Sequence, residues 1–137
     1  MSPSRLHPGG KPVILIVDDD EFYRTTLSDA FQKDGYKTFT APDGNEGFEI
    51  YREVSPDVVI LDRIMPQAGG TRFLMSVKDL SNSKECLLVI YSSTIKEGDE
   101  TARRSRAHTG FSEVVHIPKS TPPDELPGVI QGIATSS

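Results

Sequence analysis

Acidic, hydroxyl and basic residues follow four short apolar runs in this sequence. They are Asp18, Asp19 and Asp20 after the run at 13–17, Asp62 after 58–61, Ser92 after 87–91, and Lys119 shortly after 113–117. Two carboxylates about 4 Å apart repel each other by roughly 4 kcal/mol at an effective dielectric constant near 20. An acidic triplet at the end of an apolar run therefore indicates either a polar turn that caps a helix or a binding site for a cation.

The cation site becomes the stronger interpretation if the apolar runs are neighbouring strands of one parallel sheet. The carboxyl ends of such strands meet at one edge, where three carboxylates, a hydroxyl and an ammonium group would converge. Carboxylates with open coordination positions are ligands for a hard cation, and Mg²⁺ binds through a few acids, waters and phosphate oxygens. A lysine and a hydroxyl nearby would complete a phosphate-binding site.

Short apolar runs alternate with amphipathic stretches along the chain. The predicted strands are 13–17, 36–40, 58–61, 87–91 and 113–117, and the predicted helices are 21–33, 45–54, 71–80, a polar stretch ending near 107, and 124–134. This alternation predicts an α/β, doubly wound fold with a five-stranded parallel sheet, helices on both faces and right-handed crossovers. Ligands of such sheets bind beyond the carboxyl ends of the strands, where the strand order reverses.

Apolar spacing and turn residues give more detailed predictions for the first and last helices. In the first helix the apolar positions near helical spacing are Phe22, Leu27, Ala30 and Phe31, and Gly35 is the predicted C-terminal stop. In the last helix Asp124 is the predicted cap, Pro127 lies in the first turn, and the apolar stripe is Leu126, Val129, Ile130 and Ile133.

Composition excludes several classes of protein. The net charge of −5 and the pI near 5.1 disfavour a nucleic-acid-binding surface, and the arginines of ARRSRAH at 102–108 are interpreted as a solvated helix face. The apolar runs are too short to span a membrane and no signal peptide is visible. The single cysteine, Cys86, precedes an apolar run, which favours a small core residue in a reducing compartment. We therefore expect a cytoplasmic protein.

The expected organisation is a flexible N-terminal tail at 1–11, one domain at 12–134, and a C-terminal tail or the start of a linker at 135–137. Over residues 12 to about 134 the sequence resembles the receiver domains of bacterial two-component response regulators. The similarity lies in ILIVDDDEFYR, APDGNEG, PDVVILDRIMPQAGG, LLVIYSS and IPKS, and in Pro66 and Gly70. It implies the flavodoxin-like strand order 2-1-3-4-5, which is the order described for receiver domains.

The resemblance also implies a metal site. By position, Asp19 and Asp62 match direct ligands of Mg²⁺, and Asp18 matches the acid that acts through water. The backbone carbonyl of Ile64 would add a further ligand, and Mn²⁺ is an alternative occupant. Asp20 lies outside the acid pair and is expected to cap the first helix.

The same resemblance implies the phosphoryl chemistry of the site. Asp62 matches the aspartate that accepts a phosphoryl group from a histidine kinase, Ser92 the hydroxyl that hydrogen-bonds this group, and Lys119 the ammonium that pairs with it. The metal would offset charge during an in-line transfer, and the phosphorylated form would shift a two-state equilibrium. The domain would not be an enzyme, apart from catalysing its own phosphorylation and dephosphorylation.

Partners follow from this interpretation. The donor would be a sensor histidine kinase or a phosphotransfer protein, and the output a downstream protein target or a fused output domain, without direct contact to nucleic acid or membrane. A homodimer through the fourth helix, fifth strand and fifth helix is a further hypothesis. No DNA-binding or catalytic domain follows residue 137, so we expect a stand-alone receiver or a piece of a longer protein.

Some positions depart from the family pattern. Lys119 is followed by Ser120 where the family usually has a cis proline, so either the loop is trans and reshaped or a costly cis bond is retained, and the reach of Lys119 is open. His116 stands at the aromatic switch position, where a packed or exposed neutral histidine is favoured over a pH sensor. Gly69 replaces an acid, and 26 residues separate Ser92 from Lys119, a few more than usual.

Other functions compete with a phosphorylatable receiver. A degenerate receiver would act as a phosphorylation-independent docking scaffold, which the altered switch residues favour and the intact acids, Ser92 and Lys119 disfavour. A phosphatase of the haloacid dehalogenase type would use Asp18 and Asp20, but that family has Thr or Val where Phe22 stands. A flavin carrier is excluded because the acidic first loop would repel the cofactor phosphate.

Overall fold

The computed structural model describes residues 12–62, 86–92 and 113–136. Its strands are β1 (Val13–Val17), β2 (Lys37–Ala41), β3 (Val58–Leu61), β4 (Leu87–Ser92) and β5 (Glu113–Pro118). Its helices are α1 (Glu21–Lys33), α2 (Gly44–Val54) and a C-terminal helix (Leu126–Ser136), which a short 3₁₀ helix at Pro123–Glu125 precedes. The predicted helices at 71–80 and before 107 lie outside the described residues, as do Ile64, Pro66, Gly69 and Gly70.

The five strands form one parallel sheet in the order β2-β1-β3-β4-β5. The predicted strand order is therefore confirmed. β1 and β3 are adjacent at the centre, and β1 pairs with β2 on its other side, so the chain reverses direction across the sheet at β1. This reversal opens the crevice in which ligands of doubly wound sheets bind.

The strands β1, β3 and β4 are apolar on both faces because the sheet packs against helices on each side. Leu15 of β1 lies in one buried cluster with Tyr51 of α2. Its neighbour Ile14 points to the opposite face, in a second cluster with Leu27 of α1 and Leu126 of the C-terminal helix. Alternate residues of β1 thus contact different helices, as the two-residue period of a strand requires.

Helix α1 begins and ends as predicted. The Asp20 carboxylate accepts a hydrogen bond of 2.9 Å from the Phe22 N–H, and Gly35 follows the helix with a φ of +94°. The prediction that Phe22 belongs to the apolar face is wrong, because its side chain is 63% exposed. The buried stripe instead runs from Tyr23 through Leu27, four residues apart, and Phe22 is turned by about 100° from that stripe.

The C-terminal helix begins later than predicted. Asp124 does not cap it: this residue lies inside the 3₁₀ helix, whose own cap, Pro122, makes no side-chain hydrogen bond. Two consecutive prolines restrict φ to helix-compatible values and start the turn before the predicted cap. Pro127 lies in the first turn of the helix, as predicted.

Only part of the predicted stripe of the C-terminal helix is buried. Leu126 and Ile130, four residues apart, are fully buried, whereas Val129 is 39% exposed, which contradicts its prediction. The side chain of Ile133 lies outside the described residues.

Cys86 is buried at 1% exposure beside β4, so its predicted core position is confirmed. Within the described ranges, no helix has both the length and the apolar character needed to cross a membrane.

Candidate functional site

The sheet itself fixes the backbone of two acids at its carboxyl edge. Asp18 directly follows β1, and its N–H donates to the Ala41 carbonyl of β2 at 3.1 Å. Asp62 directly follows β3, and its N–H donates to the Val17 carbonyl of β1 at 2.9 Å. The two residues therefore extend the hydrogen-bond ladder by one position, which holds their side chains above the end of the central strands.

Three carboxylates converge at this edge. One oxygen each of Asp18, Asp19 and Asp62 can be chosen so that all three lie within 4.8 Å of one another. Asp18 and Asp62 are buried, at 2% and 7% exposure, whereas Asp19 is exposed. The cluster thus has a buried floor and an open side. An all-oxygen, anionic donor set of this kind fits a hard divalent cation such as Mg²⁺ or Mn²⁺.

Lys119 reaches this cluster from the far side of the sheet. Its Nζ lies 2.9 Å from Asp18 Oδ2 and 3.2 Å from Asp62 Oδ2. None of the described residues has a cis peptide bond, so the Lys119–Ser120 bond is trans. The open question about the reach of Lys119 is therefore answered, because a trans loop brings the ammonium between the two buried acids.

Burial and neighbouring charges determine the protonation of these groups. Burial raises the pKa of Asp18 to about 6, although hydrogen bonds from the Asp20 N–H and from Lys119 oppose this rise. Burial alone would lower the pKa of Lys119, but its contacts with Asp18 and Asp62 outweigh this effect and raise the pKa. Lys119 is therefore a cation at neutral pH and offsets the negative charge of two acids.

Asp18 is held by further contacts that the sequence analysis missed. Its Oδ1 accepts from the Asp20 N–H at 2.9 Å, and the Arg24 guanidinium donates to its backbone carbonyl at 2.8 Å. Arg24 lies one helical turn after Asp20 at the start of α1, so its side chain can reach back over the loop. The four-residue spacing between Asp20 and Arg24 was the sequence feature that could have indicated this contact of Arg24 with the Asp18 carbonyl.

Aromatic rings beside Lys119 were also missed. The Lys119 Nζ lies 3.9 Å from the ring centroid of Tyr23 in α1 and 5.8 Å from that of Tyr91 in β4. Tyr23 precedes Leu27 by four residues in the buried stripe of α1, and Tyr91 ends the apolar run of β4. The sequence indicated that both tyrosines lie near the carboxyl edge of the sheet. It did not indicate their contact with Lys119, which is distant from them in the chain.

The remaining predicted residues are placed as follows. Ser92 is the last residue of β4 and pairs with Pro118 in register, at the same edge of the sheet, while its side chain lies outside the described residues. His116 lies within β5 opposite Ile90 and is partly buried. The carboxylate of Asp20 caps α1 and is not part of the three-acid cluster.

Comparison with known proteins gives a consistent result. The family model for the response regulator receiver domain matches residues 14–131. A probable chemotaxis protein CheY from Rhizobium etli is 35% identical over 106 residues, which are 77% of this chain and 80% of that protein. The regulatory protein AtoC from Escherichia coli is 30% identical over 90 residues, which are 66% of this chain and only 20% of that protein.

A solved structure has the same fold. The chemotaxis response regulator CheY4 of Vibrio cholerae superposes with a TM-score of 0.77 at 25% identity, covering 90% of this chain and 98% of that chain. The chain therefore spans most of the small chemotaxis relatives but a fifth of AtoC.

Proposed function

Because the chain belongs to the response regulator receiver domain family, we propose that Asp62 accepts a phosphoryl group in an Mg²⁺-dependent reaction. Receiver domains act in phosphorelay signalling, and this chain is one of them. The observation that carries the proposal is the position of Lys119, whose ammonium contacts Asp62 and Asp18, the two buried acids of the cluster.

In the proposed reaction, a carboxylate oxygen of Asp62 attacks the phosphorus of the donor. A P–O bond to Asp62 forms while the bond from phosphorus to the donor breaks, and the leaving group keeps that electron pair and is protonated by solvent. Lys119 neutralises part of the negative charge that arrives on Asp62, and the Ser92 hydroxyl is proposed to donate to a phosphoryl oxygen.

The proposed metal ligands are Asp19 and Asp62 directly, the Ile64 carbonyl, and Asp18 through water. The contacts of Asp18 support its indirect role, because both of its oxygens already accept hydrogen bonds, one from the Asp20 N–H and one from Lys119. When bound, Mg²⁺ would offset the repulsion between the attacking carboxylate and the phosphoryl oxygens. Mn²⁺ is proposed as an alternative occupant.

Two competing functions are less well supported. A dehalogenase-type phosphatase would need Asp20 as a second catalytic acid, but its carboxylate accepts the Phe22 N–H at the start of α1. A docking scaffold without phosphorylation would not need Lys119 held between two buried acids. At the switch position, we propose that His116 is a packed, neutral residue of β5.

The partners proposed are those of receiver domains. A sensor histidine kinase or a phosphotransfer protein would supply the phosphoryl group in the cytoplasm. The phosphorylated domain would then act on a downstream protein or a fused output domain, without contacting nucleic acid or membrane itself. A homodimer involving β5 and the C-terminal helix is a further proposal.

The test uses a small phosphodonor. The protein is incubated with acetyl phosphate and Mg²⁺, and its intact mass is measured. We expect one added phosphoryl group on the wild type, none on Asp62→Asn, and none on the wild type when EDTA replaces Mg²⁺. The matched control is Asp29→Asn, an exposed acid in the middle of α1, which should be phosphorylated like the wild type. Equal phosphorylation of wild type and Asp62→Asn would refute the proposal.

A further inference from the structure

The Lys119 side chain must extend across neighbouring strands of the sheet to contact Asp18 and Asp62. Lys119 follows β5, whereas Asp18 follows β1, three strand spacings or about 14 Å away across the sheet. A lysine side chain loses up to about 2 kcal/mol of rotamer entropy when it is held in one conformation. The residue after Lys119 is Ser120, so no proline ring stiffens the loop there. A contact besides those with the two acids would help to hold the ammonium in place.

The aromatic ring of Tyr23 lies directly beside the Lys119 ammonium. The Lys119 Nζ is 3.9 Å from the centroid of this ring, well inside the distance at which a cation is attracted to a ring face. The Lys119 side chain is 11% exposed, so little water screens this attraction. Tyr23 thus contacts the ammonium of Lys119 while Asp18 and Asp62 accept its hydrogen bonds.

A second tyrosine holds the first one and the loop that follows Lys119. The ring of Tyr91 lies edge-on to that of Tyr23, with centroids 5.8 Å apart and an interplanar angle of 83°. The Tyr91 hydroxyl donates a hydrogen bond of 2.6 Å to the carbonyl of Thr121. The Thr121 N–H donates to the Pro118 carbonyl at 3.0 Å and closes the turn around Lys119.

The hydroxyl of Tyr91 is well suited to this task. The residue is fully buried, and burial raises the pKa of its hydroxyl, so the proton that it donates to Thr121 is retained. Because β4 lies between β5 and the acids, a bond from Tyr91 ties the loop down over the strand that Lys119 must cross. Tyr91 thus holds the backbone of the loop after Lys119, and Tyr23 holds the side chain of Lys119.

We propose that Tyr23 and Tyr91 are positioning residues for Lys119. Tyr23 places the ammonium through its ring face, and Tyr91 anchors the trans loop through its hydrogen bond to Thr121. Neither tyrosine is assigned a contact with the phosphoryl group, so both act through Lys119. The inference rests on the role proposed for Lys119 at the phosphoryl site, and it names the residues on which that role depends.

The geometric part is tested by NMR on the metal-free protein. Protons held against the face of an aromatic ring are shifted upfield, so the ε-methylene protons of Lys119 should be shifted upfield in the wild type. Tyr23→Phe keeps a ring and should retain the shift, whereas Tyr23→Leu should move it towards the value of an exposed lysine. Tyr23→Met replaces the leucine variant if that variant does not fold. An unchanged Lys119 signal in the variant without a ring would overturn the inference.

The functional part is tested by the rate of phosphorylation with acetyl phosphate at fixed Mg²⁺. Removing the ring in Tyr23→Leu should slow phosphorylation about threefold to thirtyfold, and Tyr23→Phe should restore most of the rate. Tyr91→Phe keeps the buried ring but loses the hydroxyl, and should slow phosphorylation about threefold to tenfold. The reference variant is Lys119→Ala, which should be phosphorylated slowly because it lacks the ammonium. If it is slow, and Tyr23→Leu and Tyr91→Phe are both phosphorylated at the wild-type rate, the proposal is contradicted.

The two readouts separate this inference from the proposed function. If the wild type takes up no phosphoryl group, the function fails, and the NMR comparison still decides whether Tyr23 holds Lys119. If phosphorylation occurs but the Lys119 signal and the rates are insensitive to both tyrosines, the function stands and the positioning role is wrong.

Discussion

The side chains at the carboxyl edge balance charge against burial. Asp18 and Asp62 are buried, and a charge in such a place is stable only when it is paired and hydrogen-bonded. Lys119 supplies the pairing for both acids, and the Asp20 N–H supplies a further hydrogen bond to Asp18. A divalent cation would add positive charge where the exposed Asp19 leaves the cluster open.

The shifted pKa of Asp18 predicts how stability depends on pH in the absence of divalent cations. Its value is raised from 3.8 to about 6, so between these pH values the folded protein retains a proton that the unfolded chain has released. By linkage, folding becomes less favourable as pH rises from about 4 to about 6. The pKa of Lys119 is raised above 10.5, so Lys119 is protonated in both states throughout this window and contributes no slope.

The measurement is the free energy of unfolding in urea at several pH values for wild type and Asp18→Asn. The wild type should lose stability relative to the variant between about pH 4 and pH 6, and the difference should level off above that window. A difference that stays constant over the whole range would show that Asp18 does not have a raised pKa.

Among the secondary-structure elements, α1 separates acids that are adjacent in the sequence. β1 ends at Val17, and α1 begins at Glu21, so three residues connect a strand to a helix. Asp18 continues the sheet, Asp19 faces the open side of the cluster, and Asp20 caps the helix. Because only three residues connect β1 to α1, each of the three aspartates has a different set of contacts.

This division predicts that Asp20 affects stability and not chemistry. Asp20→Ala removes the N-cap and should lower the free energy of unfolding by about 1 kcal/mol. Asp20→Ser retains a capping oxygen and should lose much less. Asp43→Ala, which removes the equivalent cap of α2, is the matched control and should cost a similar amount. Both Asp20 variants should still accept a phosphoryl group from acetyl phosphate, and loss of phosphorylation in Asp20→Ser would point to a chemical role instead.

The whole sheet explains why a site can be assembled from distant parts of the chain. The order β2-β1-β3-β4-β5 places the ends of β1 and β3 side by side, which brings Asp18 and Asp62 together. The same order places β5 two strands from β3, so Lys119 must cross the end of β4 to contact Asp62. The tyrosines beside Lys119 come from α1 and β4, the elements that border this path.

Sequence patterns predicted the parts of this molecule that depend on local chemistry. The bounds predicted for β1 and β3 agree with the structure to the residue, because a continuous apolar run that stops at an aspartate is typical of a buried strand in a parallel sheet. The cap at Asp20 and the stop at Gly35 followed from the preferences of single residues. The convergence of Asp18, Asp62 and Lys119 followed from the rule for ligand sites in such sheets.

The wrong assignment of Phe22 was avoidable from the sequence, because Phe22 lies five residues before Leu27, whereas Tyr23 lies four residues before it, at helical spacing. The other features that the sequence did not predict depend on tertiary contacts. The early turn at Pro123 displaced Asp124 from its predicted cap. The contact of Tyr23 with Lys119 joins the first helix to the last loop, and no local pattern carries that information.

The central claim is that the phosphoryl group is attached to Asp62, and chemical trapping tests it most directly. Wild-type protein is phosphorylated with acetyl phosphate and Mg²⁺ and then reduced with borohydride, which converts an aspartyl phosphate to homoserine. Peptide mass mapping of the reduced protein should find homoserine at position 62, with Asp18, Asp19 and Asp20 unchanged. Homoserine at one of those three positions, or a phosphoryl group that resists borohydride on a serine or threonine, would contradict the claim.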